Sequence, residues 1–251
     1  MKKFLIAFFL TALSFVNAQQ ILEVEYDLYN TFDAEKIEDY EVTINDHKLN
    51  KEELIRYLRD EMTRPKPFIL LTSKTTSTYD KKPILNDGSH LNINSKEGNG
   101  VYFKNLDEKF YIHESLGFGF DQLIKDSLPD FKWVLTRETK NVNGFKTRKA
   151  IGKLNDNQVI EAWYTTDLPY SNGPSNFQGL PGLILEVVHT LNDKLNTVKT
   201  YRAMKVKEMP AKTTIKEPKK GKIVDLETYK KNMDEFVKNM RNMENQGVDV
   251  N

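Results

Sequence analysis

Apolar and polar residues alternate along most of the chain with the period of a β-strand. From Ile21 to Tyr29, Leu22, Val24, Tyr26 and Leu28 fall on one side, with Glu23, Glu25 and Asp27 on the other. This is the pattern of a half-buried strand. The β-branched and aromatic run from Phe68 to Tyr79, and the stretch from Val101 to His113, read the same way. Five further strands are predicted in close succession: Lys132 to Thr139, Phe145 to Leu154, Gln158 to Thr166, Leu183 to Thr190 and Thr197 to Lys207. Asn143-Gly144 and Asn155-Asp156 fall between them as turns, and Asp87-Gly88 and Asn99-Gly100 mark further hairpins. Sequential strands joined by short turns predict an antiparallel meander.

Two stretches break this rhythm. Leu54, Leu58 and Met62 recur at helical spacing beside Ile55. Asn50 caps such a helix and Glu53 completes a capping box, so a short helix is predicted near 50–63. From Asp225 to Gln246, Leu226, Tyr229, Met233, Phe236, Val237, Met240 and Met243 form one stripe of a C-terminal helix. The Lys-rich stretch 210–224, with Pro218 and Gly221, reads as a polar linker. The expected fold class is mainly β (α+β). A curved antiparallel sheet or half-barrel of meander topology occupies 19–209, with the short helix inside it and an amphipathic helix at 225–246.

The N-terminus differs in kind. Lys2 and Lys3 precede an apolar run from Phe4 to Val16, and Val16-Asn17-Ala18 offers modest residues to a peptidase. Residues 1–18 are therefore expected to be a cleaved signal peptide, placing the protein in the periplasm or outside the cell. The run falls short of the ~20 apolar residues a membrane helix needs, so no transmembrane segment is expected after cleavage. The chain has 251 residues, 37 of them basic and 36 acidic, a balance that excludes a polycation for nucleic acid. None is cysteine, which excludes disulfides, thiolate nucleophiles and Cys-ligated metal.

Candidate chemistry is sparse. Gly173-Pro174-Ser175-Asn176-Phe177 starts like a nucleophile elbow but lacks the closing glycine. Gly117-Phe118-Gly119 lacks the third glycine of a dinucleotide loop. His47, His90, His113 and His189 form no paired zinc motif. His189, in phase with Leu183, Leu185 and Val187, is placed at the rim of a buried surface. Glu161 alternates with Val159 and Trp163, and Glu186 with Ile184 and Val188. Such carboxylates make an acid–base site if they converge. Otherwise they mark the solvated side of a sheet. Met204, Met209, Met233, Met240 and Met243 raise the question of Cu(I), although the helical spacing of the last three is that of packing. No cofactor, metal or catalytic residue is assigned.

The most distinctive stretch runs from Trp163-Tyr164 through Asp167-Leu168-Pro169-Tyr170 and Gly173-Pro174 to Gly179-Leu180-Pro181-Gly182-Leu183-Ile184. Pro181 suits the second position of a type II turn, and Gly182 is expected to supply the positive φ of the third. Leu180 and Leu183 flank the turn and can anchor it. The run Gly179 to Ile184 spells the hexapeptide that names the GLPGLI family, exported proteins of Bacteroidota. The chain resembles that family also at Trp133, Asn143-Gly144-Phe145, Lys149-Ala150, Trp163-Tyr164 and Gly173-Pro174. The resemblance covers Ile21 to Met209 and is strongest from Lys132 to Val188. Ser175 departs from it, where members often carry an aromatic, and Thr147, where many carry Cys. The resemblance implies work at the cell envelope near outer-membrane receptors and names no reaction. The hexapeptide itself holds backbone shapers and apolar anchors, the ingredients of a structural turn.

Three functions follow as expectations. A curved sheet with an apolar concave face, loosely similar to the half-barrels of periplasmic lipoprotein carriers, makes a non-catalytic binding or carrier module for a hydrophobic ligand or partner segment. Trp133, Trp163, Tyr164 and Tyr170 are its candidate ligand contacts, with core packing as the other role for each. Alternatively, the chain is an accessory protein of an outer-membrane transporter of the TonB-dependent type, binding by surface contact. An enzyme using Glu161, Asp167 or Glu186 is the third.

Overall fold

The computed structural model describes residues 20–37, 43–44, 47–83, 100–115, 122–155 and 158–245. The expected signal peptide, the Asp87-Gly88 turn, Asn99, Gly117 and Gly119 lie outside the described residues. Strand β1 (Leu22–Thr31) is followed by a short 3-10 turn, Ala34–Lys36, and by the two-residue strands β2 (Thr43–Ile44) and β3 (His47–Lys48), which pair with each other. Helix α1 (Lys51–Thr63) leads into β4 (Lys66–Thr72), β5 (Thr76–Lys81), β6 (Tyr102–Asn105), β7 (Phe110–Ser115) and β8 (Gln122–Ser127). Then come β9 (Val134–Val142), β10 (Phe145–Asn155), β11 (Gln158–Thr165), β12 (Leu183–Thr190), β13 (Val198–Glu208), β14 (Lys222–Val224) and helix α2 (Leu226–Asn245).

The predicted periods produce these elements. From Leu22 to Leu28 the even residues of β1 are buried and the odd ones are not. Helix α1 starts with the expected capping box: Asn50 Oδ1 accepts the Glu53 N–H at 3.0 Å, and Glu53 Oε2 accepts the Asn50 N–H at 3.0 Å. Its Leu54 is buried, and the helix packs beside β1. The β-rich run from Phe68 to Tyr79 forms two strands, β4 and β5. Ser73 breaks it, its Oγ accepting the N–H groups of Thr75 and Thr76. A serine that satisfies the backbone locally makes a turn cheap. Asn143 and Gly144 both carry positive φ, 49° and 83°, as a two-residue hairpin of type I′ requires.

Twelve strands form one sheet in the order β14-β8-β7-β6-β5-β4-β1-β13-β12-β11-β10-β9. Two antiparallel meanders, β4 to β8 and β9 to β13, are joined by β1, which pairs with both β4 and β13. The expected curved sheet with a C-terminal helix is the fold observed, and the sheet does not close into a barrel. One strand departs from the antiparallel scheme. β14, in the stretch read as linker, pairs parallel with β8, and only its Val224 is buried. Three residues in a Lys-rich context carry too little alternation to announce a strand. Upstream of it, Ile215 packs on Phe103, Ile112 and Leu123, so this polar stretch also covers one face of β6 to β8.

Chain connectivity dictates the curvature. β8 and β9 stand ten positions apart in the sheet. Laid flat at ~4.8 Å per strand, that is roughly 48 Å. The connection from Ser127 to Val134 reaches only about 25 Å fully extended. The sheet must therefore roll until its two meanders face each other across a concave side. The main core lies there, built from Tyr26, Leu28, Phe68 and Leu70 of one half and Ala162, Leu185, Val187 and Tyr201 of the other.

The turn before β12 corrects one expectation. Gly182 does not carry positive φ; in this turn it is Gly179 that does, at 90°. Gly182 is required for space: a Cβ there would stand 2.0 Å from the Thr165 carbonyl oxygen. The flanking Leu180 and Leu183 are buried, as expected of anchors. Gly182→Ala is expected to lower the free energy of unfolding in urea by about 2–3 kcal/mol, because backbone cannot yield as a side chain can. Gly144→Ala, where nothing lies within 4 Å, is expected to cost about 1 kcal/mol for its φ alone. Equal losses in the two variants would contradict the steric role of Gly182.

Candidate binding cavity under the β11–β12 loop

Residues 166–182 leave β11 and lie in the concave side of the sheet. The segment is held by its own backbone: Leu183 N–H donates to Leu168 O, Ile184 N–H to Asn172 O and Gly179 N–H to Ser171 O. Asn172, Gly173, Pro174, Phe177 and Leu180 within it are all buried. Asn172 Nδ2 donates to Thr72 Oγ1 of β4 at 3.2 Å, and Tyr26 of β1 donates its hydroxyl to Ile184 O. Gly173 admits Ile184, whose Cβ would be 2.8 Å from any Cβ at that position.

The strongest tie is Lys104 of β6. It is fully buried, and its Nζ donates to Gly173 O at 2.8 Å and Phe177 O at 3.0 Å. Burial holds this ammonium well below the ordinary lysine range, which favours the neutral amine. Two carbonyl acceptors offset much of the cost of placing an amine in the core. Lys104 and Phe177 were not predicted. Lys104 shares the phase of Tyr102, so alternation places it on the buried face, but its acceptors lie 69 and 73 residues away.

Aromatic rings continue from the segment into both walls. Phe131, in the β8–β9 crossing, lies 5.4 Å from Phe177 and 5.1 Å from Trp133. Phe177 stands edge-on to Tyr201 at 5.6 Å and to His189 at 6.0 Å. In the other wall Phe68 and Tyr79 stack in parallel, 4.9 Å apart, and Tyr102 stacks on Tyr111 at 5.0 Å.

Among the described residues, two openings border this segment. One is a cavity of about 240 Å³ between the walls, bounded by the rings of Phe68, Tyr79, Tyr102, Phe177 and Tyr201, by Leu28, and by His113 and His189. Ser175 and Asn176 of the loop and Gly100 complete it. His189 thus sits at the rim of the buried surface, as its phase in β12 suggested. The other opening is a cleft of about 400 Å³ beside the crossing, lined by Phe131, Trp133, Gln178 and Asp130 among others.

The four aromatic candidates separate. Trp133 lines the cleft, donates its indole N–H to Gln178 O at 2.8 Å, and rests on Gly152, where a Cβ would meet its ring at 2.5 Å. Tyr164 and Tyr170 are core residues, and Tyr170 donates its hydroxyl to Gln20 O at 3.3 Å. Trp163 is also buried and belongs to the core cluster, but it shares a strand face with Glu186, its register partner, and Lys140 Nζ lies 4.2 Å from its ring centre. None of the four lines the 240 Å³ cavity.

The carboxylates also face outward. Glu186, 4 % exposed, is bridged by Lys140 and by Arg202 at 2.8 Å. Glu161 pairs with Lys149 at 3.0 Å. These are neutralised ion pairs on the convex face, and neither carboxylate lines either opening. Among the described residues no three His, Asp or Glu side chains gather to hold a metal ion. The side chains of Met240 and Met243 lie outside those described. No described helix is long and apolar enough to cross a membrane.

Residues 118–231 match a family model described as the N-glycanase peptide, N-terminal domain. No curated protein matches the chain. Among solved structures, two of PNGF-II, in C2 and P21 space groups, superpose with a TM-score of 0.52 at 19 % and 18 % identity. Each alignment covers 84 % of this chain and 32 % of that one, so the chain spans about a third of the length of those proteins. At such identity the likeness is one of fold. A LolA superfamily protein from Nitrosomonas europaea aligns over 79 % of this chain and 91 % of its own with a TM-score of 0.33 and 8 % identity, too distant to argue from.

Lys104 generates a pH prediction. A folded value below the unfolded one means the unfolded chain binds more protons between the two. Stability should therefore rise with pH from the lowered Lys104 value towards ~10, with a slope of up to about 1.4 kcal/mol per pH unit. The tyrosines act in the opposite sense only above that window, Tyr111 for instance being pushed up to about 12 by burial. Urea unfolding of wild type and Lys104→Met should show the rise in the first and its absence in the second. The same slope in both would exclude Lys104 as its source.

Proposed function

We propose that this chain is a non-catalytic binding module whose ligand occupies the 240 Å³ cavity between the β11–β12 loop and the two walls of the sheet. The observation that carries the reading is the cavity's lining: aromatic walls with two imidazoles and a few hydroxyls, at the mouth of a preformed concave side. The loop already occupies most of that side, so the ligand is small, and a carrier of long acyl chains would need the loop to leave. The leader at residues 1–18 and the resemblance to the GLPGLI family support a site of action at the cell envelope. Edman sequencing of the secreted or periplasmic form is expected to start just after Ala18.

A second reading is favoured by the family match. A domain resembling the N-terminal domain of an N-glycanase would take a glycopeptide, and the cleft beside Trp133 offers an indole with amide and carboxylate neighbours. Calorimetry with an N-glycopeptide separates the two: heat of binding that is lost in Trp133→Ala favours the glycopeptide, and its absence removes that reading.

Native mass spectrometry of the chain purified from envelope material tests the first reading. A co-purified small molecule is expected on the wild type and none on Ser175→Phe, whose ring would fill the mouth of the cavity. A bare wild type, or a ligand retained unchanged by Ser175→Phe, would overturn it.

A further inference from the structure

We infer that the cavity is built for a small planar aromatic ligand bearing an anionic group, an aromatic acid. This rests on the binding-module reading and adds the ligand's class.

The size comes first. An apolar cavity of about 150 Å³ accommodates benzene, and one of about 240 Å³ has room for two fused rings but not for an extended acyl chain. Shape follows from the walls. Phe68 and Tyr79 lie within 4° of parallel, and Tyr102 and Tyr111 within 13°. Phe177 meets His189 edge-on, at 89°. Rings packed into fixed orientations on opposite walls leave a slot that rewards a flat guest with offset and edge contacts.

Charge decides the head group. Among the described residues no Asp or Glu lines the cavity, whereas His113 and His189 both do, one from each wall. The register extends this asymmetry to the rim. Lys66 is the Cα partner of Leu28, Lys81 of Phe68 and Lys199 of His189. Directly opposed residues share a face of the sheet, so these three lysines lie on the concave side next to residues that line the cavity. Lys66 and Lys199 are half-buried and Lys81 is exposed. The carboxylates of this region are directed elsewhere. Asp80 and Glu114 alternate with Tyr79 and His113 and so fall on the convex face. Asp126 of β8 faces Tyr102 and Tyr111, lies outside the cavity lining, and accepts the first backbone N–H of α2, that of Leu226. Among the described residues the slot itself is lined by imidazoles and phenols, with three ammonium groups on its face and one carboxylate, Asp126, set back beyond Tyr111, a balance that favours an anion over a cation.

Titration calorimetry of the full chain with 2-naphthoate, its neutral amide and laurate tests the assignment. The acid is expected to bind about tenfold more tightly than the amide, the combined effect of three partly exposed charges. Laurate is not expected to compete. Replacing Lys66, Lys81 and Lys199 together by Gln should bring the acid down to the affinity of the amide while the amide is unchanged, a result that lost folding would not give. Equal binding of acid and amide to the wild type would overturn the anionic class and leave the binding module standing. Laurate binding in place of both would overturn the aromatic class while keeping a ligand in the cavity. No binding by any of the three, together with a bare chain from the envelope, would remove the inference and the reading beneath it.

Discussion

The short crossing from Ser127 to Val134 governs the architecture. It joins strands that stand ten positions apart in a single sheet, and a chain of that length spans only about half the flat distance. The sheet has to roll, and a rolled sheet has an inside. Twist alone would give a twelve-strand sheet some coil; the tether brings its meanders to face each other. The crossing also supplies Phe131, which is buried on the inner side against Phe177.

A rolled sheet that stays open leaves its inner face to be covered, and the chain covers it with residues 166–182. An irregular segment in a core must satisfy its own backbone. This one does so through bonds to itself and to the start of β12, and through Lys104, Asn172 and Trp133, which bind backbone or neighbouring strands. Gly182 lets the segment come within contact distance of the β11 backbone at Thr165, and Gly173 makes room for the Ile184 side chain of β12. The GLPGLI-like hexapeptide is thus the exit of this loop into β12, where close approach governs the choice of residues. The space that the loop leaves unfilled is the cavity. Its aromatic lining is therefore shared between the fold and any ligand.

The two faces of the sheet divide the labour. Carboxylates that looked like possible chemistry lie on the convex side among Lys140, Lys149 and Arg202, where ion pairing neutralises them. Trp163 belongs to that face and is covered by a lysine. The concave side holds the aromatic rings, the histidines and a buried amine. The carboxylates are therefore not among the groups that border the cavity, which are aromatic rings, two imidazoles and a few hydroxyls.

Much of the fold was legible along the chain. Period-two alternation marks β1 and β9 to β13 to within a few residues, helical spacing and a capping box mark α1, and Asn143-Gly144 marks its hairpin. These are local properties, decided by which face of one element meets water. The same alternation put His189 at a buried rim and Glu161 and Glu186 on one face. It could not say which face is concave, and so which of Trp163 and Tyr164 looks into the concave side. Nor could it pair Lys104 with carbonyls some seventy residues away, or show that Gly182 answers to the Thr165 carbonyl rather than to its own φ. Those facts depend on which strands become neighbours and how far the sheet rolls. By itself the sequence determined the elements, their turns and their polarity. Only the tertiary structure decided the cavity, because a cavity is the space left when residues distant in the chain meet and fail to fill it.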